Sequence, residues 1–270
     1  GVYFFGASDL AYAAEFGDLP SRQRRLIHNY GLPGTNPAEM FPLLRFLVER
    51  QGLLQAGPGK TCIVLCLSEG GMLDPPQAGI TLTLILGASG LYTCDSGGDI
   101  APVAMSRWAR ALQLRRVRWR SFLERCVHFL APVPRVPADA TGFRRDAELT
   151  NAHAWDRSGW QQIGELERLV DYLQARHVNV MFVLLPMGSW NQGLAYHDAL
   201  MARVPALGAA RQVPVVDYTH LLRDDEYMDA HHANFAGTRK LHGALLKLAL
   251  DYLHQTGALP VGGDGEPQDH

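Results

Sequence analysis

The sequence predicts a three-layer α/β/α sandwich on a mostly parallel central sheet. Two strongly apolar runs, residues 61–67 and 178–185, carry this expectation. Such runs suit parallel strands buried on both faces. They alternate with segments of helical period, and that alternation along one chain marks α/β layering. A chain of 270 residues suits one large α/β domain, expected over residues 1–260, with a disordered tail at 261–270.

The elements follow in order. Val2–Phe5 is a short apolar strand, and residues 11–16 begin a helix. Residues 25–29 form a second strand before a loop at 30–36. Pro37–Gln51 is a helix, with Pro in its first turn and Phe41, Leu44, Leu47 and Val48 on one face. The strand 61–67 follows, then a glycine-rich stretch, 69–103, without a clear period. Residues 105–130 are helical, and 132–151 read as a loop or insertion. A helix at 160–176 precedes the strand 178–185. Another helix begins at 196–203, and 213–217 is a short strand. Phe235–Gln255 closes the domain as a helix with the stripe Leu241, Leu245, Leu248 and Tyr252. Asn234 is its N-cap and Gly257 its C′ residue.

Composition narrows the function classes. The net charge of −2 leaves no overall electrostatic footprint for nucleic acid. No apolar run reaches the ~18 residues of a membrane-spanning helix. Cys62 and Cys66 are four apart on a strand, too far for a disulfide, and are expected in the core. Cys94 and Cys126 could bridge only in an oxidising compartment. The stretch Gly57-Pro58-Gly59-Lys60-Thr61 is not a phosphate loop, because Leu54 stands where glycine is required and the stretch precedes a strand.

Candidate chemistry lies at the two ends of the chain. Ser8 follows the first strand in Gly6-Ala7-Ser8-Asp9. The tripeptide Gly-Ala-Ser recurs at 87–89, but Ser89 reads as a turn residue. Asp229 and His232 stand three apart just before the last helix. In a turn, that spacing lets a carboxylate reach Nδ1 of the imidazole and leave Nε2 free as a base. His231 and His232, being adjacent, point apart, so neither a metal nor a cofactor is expected.

Serine at the first strand end, with Asp-x-x-His before the last helix, resembles the SGNH (GDSL-type) hydrolase superfamily. The loop Asn29-Tyr30-Gly31-Leu32-Pro33-Gly34 is similar to its second block, and Asn234 with Gly237 to its last. The resemblance implies Ser8 as nucleophile, His232 as base and Asp229 as its orienting carboxylate. It implies an oxyanion hole from the backbone of Ser8 and Gly34. The third block departs, with Ser68 where the family has Asn, so the Ser68 hydroxyl or the Gly70–Gly71 backbone would be the further donor.

That departure resembles the branch that modifies bacterial cell-surface polymers. It implies an O-acetyltransferase acting on an exopolysaccharide, cellulose first and alginate-like polymers second. The alternatives are an esterase on the same triad and a non-catalytic module of a polymer-secretion complex. A periplasmic or other extracytoplasmic location is expected, as is a biofilm role. The expected partners are the acceptor polysaccharide and an acyl donor, such as a membrane-bound acyl-relay protein, with any anchor upstream of Gly1. Trp190 and Asn191, after the buried strand, are expected to bind substrate by stacking and hydrogen bonding. The arginine-rich segment 105–130 is expected either to be a solvated face or to contact an anionic partner or membrane surface.

Overall fold

The computed structural model describes residues 1–13, 16, 19–53, 60–73, 80–95, 98–130 and 140–259. The turn at 57–59 and the tail at 261–270 lie outside these, as do the side chains of Arg118, Arg120, Glu124, Arg125, Cys126, Trp155, Asp156 and Trp160.

The chain begins with β1 (Val2–Phe5), which passes through Gly6 and Ala7 into α1 (Ser8–Ala13). A short helix α2 (Ser21–Arg24) precedes β2 (Ile27–Asn29). Helix α3 (Pro37–Gln51) has the bounds its sequence signals predict. The Asn36 side chain accepts from the Glu39 N–H at 3.1 Å, and Gly52 closes the helix at φ 68°, in the left-handed region. Strand β3 (Cys62–Leu67) and helix α4 (Glu69–Leu73) follow.

The glycine-rich stretch resolves into helix α5 (Ile80–Ser89) and an antiparallel hairpin, β4 (Tyr92–Cys94) with β5 (Ile100–Pro102). Ser89 ends α5, its hydroxyl donating to the Leu86 carbonyl and accepting from the Leu91 N–H. Next come α6 (Arg107–Leu130) and α7 (Ala140–Asp146). A π-helical turn, Ala147–Asn151, leads into α8 (Ala152–Gln174). Residues 140–151 are therefore helical rather than the expected loop. The remaining elements are β6 (Asn179–Leu184), α9 (Ala195–Arg211), β7 (Val215–Asp217) and α10 (Phe235–Gln255).

The main sheet has the order β2-β1-β3-β6-β7, with every pairing parallel. Side chains along β3 alternate between two cores. Ile63, Leu65 and Leu67 pack with Leu44 of α3, Leu166 of α8 and Val204 of α9. Cys62, Val64 and Cys66 face the other way, onto Leu10 of α1 and Leu241 and Leu245 of α10. This two-sided burial makes the three-layer α/β/α architecture. Each fully buried large apolar side chain contributes about 1.5–3 kcal/mol. Cys62 and Cys66 are free and lie in the core, and Cys94 is also free.

Strand order reverses at β1, which has β2 on one side and β3 on the other. In open parallel sheets the ligand crevice opens at such a point, beyond the carboxyl ends of the strands. Ser8 follows β1, and Ser68 follows β3.

Candidate active site

Ser8 and His232 are 224 residues apart in the chain and meet in the fold. The Ser8 Oγ lies 2.9 Å from His232 Nε2, and His232 Nδ1 lies 2.8 Å from Asp229 Oδ2. The other Asp229 oxygen accepts from the N–H groups of His231 and His232, at 2.8 and 2.7 Å. Burial works against ionisation of Asp229. The two N–H groups and the imidazole outweigh it and hold the carboxyl below its ordinary range. An ionised Asp229 orients the ring so that Nδ1 carries the proton and Nε2 faces Ser8.

The turn that carries Asp229 and His232 is clamped at its base. Met228 donates to the His232 carbonyl at 2.9 Å, and Asn234 to the Glu226 carbonyl at 2.8 Å. The Asn234 side chain caps α10 by accepting from Ala236 and Gly237, and its Nδ2 donates to Asp225. Gly237 is needed for packing, since a Cβ there would stand 2.4 Å from the Glu226 carbonyl oxygen. We expect Asn234→Ala to lower stability by about 1 kcal/mol through the lost cap. Gly237→Ala is expected to cost about 1–3 kcal/mol through overpacking. Urea titration of both variants checks the order, and an Asn234→Ala midpoint below that of Gly237→Ala would contradict it.

The loop after β2 is tied to the nucleophile's helix. Asn29 accepts from Gly31 N–H at 2.7 Å and donates to the Leu10 carbonyl at 3.3 Å. A Cβ on Gly31 would lie 2.8 Å from the Ala11 nitrogen. The Thr35 hydroxyl bonds to the carbonyls of Gly6 and Leu32, at 2.9 and 2.8 Å. Gly34 sits in this loop at φ 74°. Gly6 is explained by packing, since a Cβ there would lie 2.9 Å from Leu10 and 3.0 Å from the Cys66 carbonyl oxygen.

Ser68 is buried and caps α4, accepting from Gly71 N–H at 3.4 Å. Its hydroxyl also hydrogen-bonds Asp9, the residue after the nucleophile. Glu69 lies beside this pair and is 5% exposed. Burial, and then the charge of Asp9, push its carboxyl up to about 8. Burial likewise raises Asp9, partly offset by His232, Ser68 and His231. Asp9 Oδ1 and Glu69 Oε2 are buried without a hydrogen-bond partner among the described residues. Asp9, Ser68, Glu69, Gly188, Ala230 and His231 line a small cavity there. Glu69 follows β3 and is expected near the site from its place in the sequence, whereas nothing in the pattern marks either carboxylate for burial.

Trp190 and Asn191 differ from expectation. Both are buried, at 3% and 1% exposure. The Trp190 ring packs on Phe143 and Tyr227, and its Nε1 donates to the Ala230 carbonyl at 3.1 Å. A Cβ on Gly188 would collide with this ring. Arg144 of α7 donates to the Trp190 and Gln192 carbonyls. Asn191 accepts from the Tyr196 hydroxyl. Trp190 therefore buttresses the turn holding Asp229 and His232, and its ring faces are not open for sugar stacking. His28 stacks on Tyr3, with ring centroids 4.8 Å apart.

No family model and no curated protein matches this chain. Solved structures do resemble it remotely. A putative acylhydrolase from Bacteroides fragilis is 13% identical with a TM-score of 0.47, covering 93% of this chain and 87% of its own. A variant of an acetyl-xylooligosaccharide esterase from Geobacillus is 11% identical with a TM-score of 0.44, covering 92% and 93%. A lipolytic G-D-S-L family member from Veillonella parvula is 13% identical with a TM-score of 0.42, covering 92% and 96%.

Proposed function

We propose that this chain is a serine-dependent acyl-transfer enzyme acting on acyl esters. One observation carries the reading: Ser8 Oγ lies 2.9 Å from a His232 nitrogen whose partner nitrogen is held by Asp229. His232 takes the Ser8 proton as Oγ attacks the ester carbonyl. The tetrahedral oxyanion forms next to the Ser8 backbone N–H at the start of α1. Gly34 N–H is the proposed second donor, and the backbone of Gly70, which lines the cavity, the proposed third, because the Ser68 hydroxyl is engaged by Asp9 and Gly71 N–H by Ser68. A well-placed donor of this kind lowers the barrier by ~2.7–4 kcal/mol. His232 then returns the proton to the departing alcohol, leaving an acyl-serine. A hydroxyl acceptor, activated in turn by His232, discharges it and restores Ser8.

With water as acceptor the protein is an esterase; with a sugar hydroxyl it is an O-acyltransferase. The finer reading is acetyl transfer to an extracytoplasmic polysaccharide such as cellulose, fed by a membrane-bound acyl donor. It is supported by the Ser8, Asp229 and His232 order and by Ser68 in the third block. The test is turnover of an activated acetyl ester, with and without cello-oligosaccharide, using wild type and Ser8→Ala. Mass spectrometry follows the sugar. Ser8-dependent acetylated sugar supports the transferase, and Ser8-dependent acetate release unchanged by sugar supports the esterase. If both proteins are equally inert and no acyl-serine is trapped, the enzymatic reading fails in favour of a binding module.

A further inference from the structure

Helix α6 spans 24 residues, about 36 Å, and has no acidic residue before Glu124. Trp108, Leu112 and Trp119 recur at spacings of four and seven, so they share one stripe. Their exposures are 83%, 66% and 63%, large values for the side chains most costly to hydrate. Gln113 lies about 100–140° round the helix from that stripe, and its amide donates to the Ser89 carbonyl at 2.8 Å and ties α6 to α5. The apolar stripe thus faces away from the protein. Arg115 and Arg116, both exposed, stand at its two edges.

We propose that this face of α6 docks on an anionic lipid surface. A helix with a tryptophan–leucine stripe bordered by arginines suits the boundary between headgroups and acyl chains. There the rings and leucine leave water while the guanidinium groups meet lipid phosphates. The charge selects an anionic occupant. The leucine separates a bilayer from an anionic polysaccharide, because tryptophan can stack on a sugar but leucine gains nothing comparable there. Among the described residues no helix is long and apolar enough to cross a membrane. The inference is independent of the chemistry at Ser8.

The test is co-sedimentation with phosphatidylcholine vesicles and with phosphatidylcholine–phosphatidylglycerol vesicles, alongside tryptophan emission. Binding is expected only to the phosphatidylglycerol vesicles, with a blue shift, and should weaken as salt rises. Arg115→Gln/Arg116→Gln should weaken it about fivefold per arginine. Trp108→Ala/Leu112→Ala should weaken it about tenfold or more. All four side chains are exposed, so circular dichroism and thermal unfolding should stay as in wild type. The proposal is overturned if neither vesicle binds, if both bind alike, or if neither double variant matters. It is also overturned if the stripe instead holds two copies together, so that Trp108→Ala/Leu112→Ala converts a dimer to monomer without vesicle binding. Retention on an anionic polysaccharide, with no vesicle binding, likewise overturns it.

Discussion

Replacing Ser8 with alanine is expected to lower ester turnover by about 10⁴–10⁶-fold while leaving the fold intact. The side chain removed is small and partly exposed, so the loss falls on chemistry. Without Oγ, the base nitrogen of His232 faces no nucleophile, although Asp229 still holds the ring. His232→Ala should cost a similar factor, because Nε2 is the group that receives the Ser8 proton at 2.9 Å. The double variant should be no worse than either single one, since the two side chains act as a unit. Single-turnover measurement with an activated ester, read as acyl-serine by intact mass, reports the first step directly. Near-wild-type turnover in Ser8→Ala, or losses that multiply in the double variant, would remove the basis of the triad assignment.

How much of this was legible in the sequence varied with the physics behind each signal. The bounds of Pro37–Gln51 and Phe235–Gln255 were readable because cap, period and stop agree at both ends. The strand 61–67 was readable because burial on both faces demands an unbroken apolar run, and the structure shortens it only to Cys62–Leu67. The approach of Ser8 to His232 was legible only as an order along the chain. The clamp that makes it geometry, Asn234 with Gly237 against the Glu226 turn, shows in the fold. Residues 80–89 were not assigned, because a short apolar run fits a strand or a helix equally well. Residues 140–151 were read as a loop because their helix is held by Arg144 on carbonyls 46 and 48 residues away. Trp190 was read as a surface ring because nothing local says that Phe143 and Tyr227 close over it.

Glu69 was legible as a neighbour of the site but not as a buried acid, and it carries the second large effect. Replacing it with glutamine is expected to stabilise the protein in neutral and mildly alkaline solution. Burial and the neighbouring Asp9 push the carboxyl up to about 8, against an ordinary 4.5. The folded state therefore keeps a proton that the unfolded chain releases above 4.5. Stability linked to this group is full below pH 4.5, falls as pH rises, and levels off above pH 8. The interval corresponds to about 4–5 kcal/mol at most. Asp9 is raised as well, by burial first, so its contribution has the same sign. Glutamine does not titrate and keeps the shape of the side chain, so Glu69→Gln should lack most of this slope. Urea unfolding at pH 5 and at pH 8 measures it. Wild type should lose much more between the two than the variant, with the curves closest at the acid end. Parallel losses would mean that Glu69 ionises in the folded protein as readily as in the unfolded chain. The same proton matters beside Ser8. An ionised Glu69 would add a negative charge beside Asp9, and each acid raises the cost of ionising in this buried corner. Ionisation of the folded Glu69, at about 8, therefore sets an alkaline limit that Glu69→Gln should extend.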